Sequence, residues 1–184
     1  MENKKLLEEI RSYWNNRADG YSRVNQEELH SEQKEKWKEV LLEQLPKKEK
    51  DQVQILDIGT GPGFFAILLA EEGYQVTAVD YTEQMLQEAK SNAADLADQI
   101  SFKRMDAQNL EFPKETFDYI VTRNVTWNLE HPKRAYREWQ RVLKPGGKIL
   151  NFDANWYAYL YDDKLKLGYE PVSYTHLTLP TNSL

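Results

Sequence analysis

QILDIGTGPGFFAILLA, residues 54–70, places Gly59, Gly61 and Gly63 on alternate positions between two apolar runs. The first run, VQILDIG, reads as a short buried strand, and GPGFFAILLAEEG as a helix closed by Gly73. Glycines at such a junction let the backbone turn sharply or let a ligand approach it closely. The dinucleotide fingerprint G-x-G-x-x-G fits Gly59 and Gly61, but its third position falls on Phe64. A triphosphate loop needs Lys followed by Ser or Thr, and GTGPGFF supplies neither. A plain strand-to-helix turn stays open as a reading. Two acids weigh against it. Asp57 stands just before the glycines, and Asp80 closes the next strand 21 residues after Gly59, where a carboxylate can accept hydrogen bonds from both ribose hydroxyls of a nucleoside. The other role open to Asp80 is capping the following helix, a place that Thr82 holds more directly.

Downstream the same alternation continues. YQVTAVD, ISFKRMDA, FDYIVTRN and GGKILNFDA read as strands, and TEQMLQEAKSNAADLA and PKRAYREWQRVLK as helices. Upstream, the first 45 residues read as helical: Leu6, Leu7, Ile10, Tyr13 and Trp14 form one 3.6-period stripe, and Trp37, Val40, Leu41 and Leu45 another, ended by Pro46. Strands alternating with helices predict an α/β fold, a Rossmann-like doubly wound layer with a mostly parallel sheet, helices on both faces and an N-terminal helical cap. The expected organisation is a cap or lid over residues 1–46 and a cofactor-binding core over 47–170.

Composition bounds the function. The chain has 184 residues, 40% of them hydrophobic, enough for one core. Its formal charge of -6 argues against a nucleic-acid partner, since phosphate neutralisation needs clustered Lys and Arg. No run of about 18 apolar residues occurs, so no membrane contact is expected and the location predicted is cytoplasmic. With no cysteine, and with His30, His131 and His176 far apart in sequence, thiolate chemistry is excluded and no metal site is expected.

Taken together, ILDIGTGPGFFA, the acid after VTAVD, MDAQNL and LKPGGKIL resemble class I S-adenosylmethionine-dependent methyltransferases, specifically the type 11, ubiquinone/menaquinone-like group of small-molecule enzymes. The likeness runs from about residue 9 to 160. It implies S-adenosyl-L-methionine as cofactor and a small-molecule substrate. By the same resemblance Asp57, Gly59, Gly61 and Gly63 line the methionine portion of the cofactor and Asp80 binds its ribose. Asp106 with the backbone of Ala107 reads the adenine, and Asn124 lies beside the methyl group. Elementary electrostatics agrees: Asp57 suits a ligand carrying a sulfonium and an ammonium, whereas a diphosphate beside it would be repelled. Asp106 also fits an ordinary turn residue.

Methyl transfer is a displacement at a carbon activated by the sulfonium, so the enzyme mainly aligns the reactants and excludes water. A base is wanted only for a protonated nucleophile, and His131 and Tyr21 are the candidates. His131 equally fits a helix lead ahead of Pro132. YWNNRADGYS resembles the family's lid, which makes Tyr13, Trp14 and Tyr21 lid residues; Tyr13 and Trp14 also fit core packing. Trp127, after the fourth strand, is read as a substrate contact or as an aromatic cap on the core. Two further readings stand beside methyl transfer: a cofactor-binding protein without turnover, and an NAD-dependent oxidoreductase, which the mismatch at Gly63 and Phe64 disfavours.

The family usually adds an antiparallel strand pair after the fifth strand, and that pair is expected to be missing here. Residues 171–184 contain VSYTHLTLPTNSL, which resembles a translated adaptor sequence and is read as a non-native tail on a truncated chain; a short terminal edge strand is the alternative.

Overall fold

Side chains on successive strand residues point to opposite faces, so an all-apolar strand must be covered on both. In the computed structural model, which describes residues 2–47 and 49–154, with side chains from residue 8 onward, five strands meet this condition by sharing one sheet. They are Gln54–Ile58 (β1), Gln75–Asp80 (β2), Ile100–Arg104 (β3), Phe117–Arg123 (β4) and Leu143–Phe152 (β5). Their order is β3-β2-β1-β4-β5, and every neighbouring pair is parallel. The helices are Glu2–Asn15 (α1), Ala18–Leu29 (α2), Glu32–Gln44 (α3), Phe64–Glu71 (α4), Glu83–Ala93 (α5) and Pro132–Val142 (α6).

Two apolar clusters fill the two faces. Ile55 of β1 joins Val76, Val121 and the apolar residues of α4 and α3 on one side. Its neighbours Leu56 and Ile58 join Ile120, Phe117 and the fully buried Trp139 and Val142 of α6 on the other. Strand order reverses between β1 and β4, and at such a switch point the carboxyl ends of the strands leave a crevice for a ligand. The Rossmann-like expectation is thus met. No helix of the described residues is long and apolar enough to cross a membrane.

Four details differ from the expected elements. A third N-terminal helix, α2, stands where two were read, because its buried face is small and polar, Ala18, Ser22 and Asn25, and gives no apolar stripe. Val40, expected in the stripe of α3, is 42% exposed, while Leu41 and Leu45 carry that contact. α5 ends at Ala93 and a 3₁₀ segment, Ala94–Gln99, completes the crossover. β5 begins at Leu143, ahead of the glycines, and its register against β4 shifts between Phe117 and Tyr119. There Gly147 lies so close to Asp118 that a Cβ would meet the carbonyl oxygen at 2.7 Å. The missing strand pair and the tail over 171–184 lie outside the described residues.

One side chain ties the N-terminal helices to the sheet. Arg123, the last residue of β4, pairs bidentately with Glu28 of α2 at 2.8 and 2.9 Å. Its guanidinium also lies 4.7 Å from the ring of Trp37 in α3 and 5.0 Å from that of Phe64 in α4. A planar, weakly hydrated cation suits both contacts at once.

Candidate functional site

Each of the three glycines sits in the turn for its own reason. Gly59 follows β1 with φ +66°, and a Cβ there would lie 2.4 Å from Cγ2 of Val125, so the loop after β4 presses on it. Its N–H and that of Thr60 both donate to Val79 O of β2, at 2.8 and 3.0 Å. Gly61 has φ +53° and nothing within 4 Å of its Cβ direction, so its backbone is open to an approaching group. Gly63 is the N-cap of α4 and rests on α5, where a Cβ would meet that of Ala89 at 3.1 Å. Of the three, Gly61 faces open space, while Gly59 and Gly63 answer to packing.

Replacing Gly59 with Ala should therefore destabilise the fold by about 2–3 kcal/mol, combining left-handed backbone strain with overpacking. Adding Val125→Ala should relieve the steric part and leave the strain. Urea unfolding of both variants checks this; an unchanged midpoint for the single variant would mean that Val125 moves aside freely.

Two acids flank the loop. Asp57 alternates with Ile55 onto the α4 face of the sheet and is buried. Burial raises its carboxyl from 3.8 to about 7, against a 2.7 Å hydrogen bond donated by Thr60 Oγ1 and one from the backbone of Ala66; nearby Asp80 raises it further. Asp80 ends β2, with one carboxylate oxygen accepting from Gly61 N at 3.0 Å and the other from Thr82 N at 2.9 Å. Burial raises its pKa as well, and the backbone donors oppose this. Asp80 thus closes a turn onto Thr82, the N-cap residue of α5, rather than capping the helix itself, and each of its oxygens keeps a second lone pair for a ligand. Thr82 precedes α5 without a side-chain cap bond.

A further turn lies beyond β3. Asn109 N donates to Asp106 O at 2.9 Å and closes it. Asp106 Oδ1 accepts from Gln108 N at 2.8 Å, so the ordinary turn geometry weighed for this residue is there too. Trp139 Nε1 of α6 donates to Ala107 O at 2.8 Å. Asn124, one residue past β4, adopts φ +57°, which Asn tolerates better than most side chains, and donates its N–H to Phe152 O at 2.8 Å.

The aromatic residues converge. Trp14 packs edge-on against Tyr13 and Tyr21, both with centroids 5.1 Å away, and lies 6.2 Å from Trp127. Lid and substrate candidates from three places in the chain thus form one wall. Within it Trp127 Nε1 is buried and, among the described residues, meets no hydrogen-bond acceptor. His131 is the lead residue of α6, its carbonyl accepting from Arg134 and Ala135 and its ring 3.6 Å from a Glu130 carboxylate oxygen. That is the helix-lead role.

Sequence reasoning passed over Thr60, Gln108 and Asn92. Asn92 of α5 donates to Pro62 O in the glycine loop at 3.0 Å and accepts from Gln26 of α2 at 2.9 Å. Nothing in a lone Asn or Gln announces such a bridge. Two surface grooves, of about 550 and 470 Å³, open near the amino ends of the strands, beside Lys50 and Tyr74 and beside Lys144 and Gly146. They lie away from the residues just described.

A family model described as a methyltransferase domain matches residues 56–151, the span from β1 to β5. The chain belongs to the methyltransferase domain family. This methyltransferase domain is 31% identical over 109 residues to the ubiquinone biosynthesis O-methyltransferase of Coxiella burnetii, covering 58% of the present chain and 47% of that protein. To the ubiquinone/menaquinone biosynthesis C-methyltransferase UbiE of Rickettsia bellii it is 30% identical over 149 residues, covering 77% and 58%. It also superposes on a Methanococcus maripaludis protein assigned to the S-adenosyl-L-methionine-dependent methyltransferases, with TM-score 0.66 and 26% identity, covering 76% of the chain and 64% of that structure. The chain spans about half the length of these two curated relatives.

Proposed function

We propose that the chain binds S-adenosyl-L-methionine at the carboxyl ends of β1, β2 and β3 and transfers its methyl group to a small-molecule acceptor by direct displacement. The observation that carries this reading is the buried Asp57 beneath a glycine turn whose residues 57–63 include no Lys or Arg. A carboxylate there attracts an ammonium and repels a diphosphate, and burial strengthens both effects. When bound, the cofactor supplies a methyl group already activated by its sulfonium. The chain's residues orient it: Asp57 faces the methionine end, Gly61 gives close backbone approach, Asp80 takes the ribose, Asp106 and Ala107 take the adenine, and Asn124 borders the methyl. Gly59 and Gly63 support that turn by packing.

The wall of Tyr13, Trp14, Tyr21 and Trp127 excludes water on the acceptor side, and the Trp127 N–H is offered to an oxygen of the acceptor. For a protonated nucleophile, Tyr21, whose ring meets Trp14 in this wall, is the base of this reading, with His131 the other candidate. Residues 1–46 as a cap, 47–170 as the core and 171–184 as an added tail belong to the same proposal.

The test is titration of the purified chain with S-adenosylhomocysteine and with NAD, followed by incorporation of labelled methyl into a metabolite extract. Binding of S-adenosylhomocysteine with incorporation supports the reading. Binding without incorporation leaves a cofactor-binding protein, and stabilisation by NAD alone would turn the assignment to an oxidoreductase. Trp127→Phe should slow incorporation five- to tenfold, on the order of one lost hydrogen bond, with S-adenosylhomocysteine affinity held within twofold. Equal loss in both would move Trp127 out of the acceptor side.

A further inference from the structure

We propose that Gln108 is a positioning residue that makes the site selective for an adenine base by fixing the carboxylate of Asp106. The inference rests on the cofactor reading above and deepens it, since Gln108 acts through Asp106.

Gln108 is 4% exposed, so its amide cannot exchange partners with water. Both ends of that amide are engaged. Nε2 donates to Asp106 Oδ1 at 3.3 Å, alongside the backbone N–H of Gln108 at 2.8 Å. Oε1 accepts from the backbone N–H of His131, at the start of α6, at 2.6 Å. Turning the amide over would set its oxygen against the Asp106 carboxylate and its NH2 against the His131 N–H, two repulsions in a buried place. Its orientation is therefore fixed, and it holds Oδ1 of Asp106 from one side only. Trp139, itself fully buried, anchors the next residue through Ala107 O at 2.8 Å. The turn over residues 106–109 is thus held by α6 and its lead residue at His131, Trp139 and Arg134, the last donating to Asn109 Oδ1 at 3.3 Å.

With Oδ1 occupied, Oδ2 is the atom that a ligand meets. A carboxylate oxygen accepts and cannot donate. On an adenine edge the group that answers it is the exocyclic N6 amine, a donor. In hypoxanthine an oxygen replaces that amine and would face a fixed Oδ2 with like polarity, while the neighbouring N1–H is a donor that only a carboxylate free to turn can reach. A pinned Asp106 therefore discriminates between the two bases, whereas a swivelling one can turn away and accept either.

The probes are S-adenosylhomocysteine and S-inosylhomocysteine, which differ only along that base edge, amine for oxygen at C6 and bare N1 for N1–H, titrated calorimetrically at one pH. The full chain should prefer the adenine compound at least tenfold. Gln108→Met should reduce the preference to threefold or less and change the affinity for the inosine compound by less than twofold. Gln108→Glu keeps an oxygen for the His131 N–H but cannot donate to Asp106, and it should lose the preference in the same way at pH 8; if the Met variant does not fold, this one decides. Retention of a tenfold preference in a folded variant overturns the proposal, as does an equal loss of both ligands, which would mark Gln108 as purely structural. A wild-type chain that binds both compounds equally overturns it while leaving the cofactor reading intact. A wild-type chain that binds neither overturns both.

Discussion

Asp80→Ala is expected to weaken S-adenosylhomocysteine binding by about two orders of magnitude. A carboxylate accepting from both ribose hydroxyls makes two charge-assisted hydrogen bonds, each worth on the order of 1.5–3 kcal/mol, and about 1.4 kcal/mol is tenfold in affinity. The loss has a second source in the loop itself. Asp80 bridges Gly61 N and Thr82 N, so its removal leaves both donors unpaired and lets the open backbone at Gly61 drift from its place. Thermal stability should fall with affinity for that reason, and calorimetric titration beside a melting curve separates the two. An affinity within threefold of wild type would remove the ribose assignment whatever happens to the melting temperature.

Binding should also depend steeply on pH through Asp57. Its folded-state pKa, about 7, lies above its ordinary 3.8. Between those values the folded chain holds a proton that the unfolded chain has released, so stability falls as pH rises through that window and levels off above about 7. Asp80 shifts in the same direction. An ammonium ligand reverses the preference, because it pairs only with the charged carboxylate. Below pH 7 binding must then release a proton, and affinity should fall towards tenfold per pH unit, about a hundredfold from pH 7 to 5. Asp57→Asn keeps an oxygen for the Thr60 hydroxyl and should melt higher at pH 7 than wild type, yet bind S-adenosylhomocysteine weakly and without this slope. Titrations from pH 5 to 8 in buffers of different ionisation enthalpy read both the affinity and the proton. A flat profile for wild type would detach Asp57 from the ligand's charge.

Much of the frame was legible because the signals are local. A short apolar run, glycines on alternate positions and an acid at the next strand end are all read within about 30 residues, and the parallel order follows from alternating elements. α2 was not legible, since a helix that buries Ser22 and Asn25 against Asn92 shows no apolar period. Nor could the sequence rank its three glycines. That Gly61 faces open space while Gly59 meets Val125 depends on a loop more than sixty residues away. Gln108 was hidden for a similar reason: its two partners, Asp106 and His131, meet only after the chain has crossed the sheet. Val40 shows the opposite error, a position that fits the stripe of α3 and yet faces water.

The clamp at Arg123 fixes part of the frame around the proposed site. α2 and α3 are fastened through Glu28 and Trp37 to the residue immediately before Asn124, so neither can swing outward without dragging the tip of β4. On the proposed reading admission would then fall to α1, whose Tyr13 and Trp14 rings meet the aromatic wall outside that fastening.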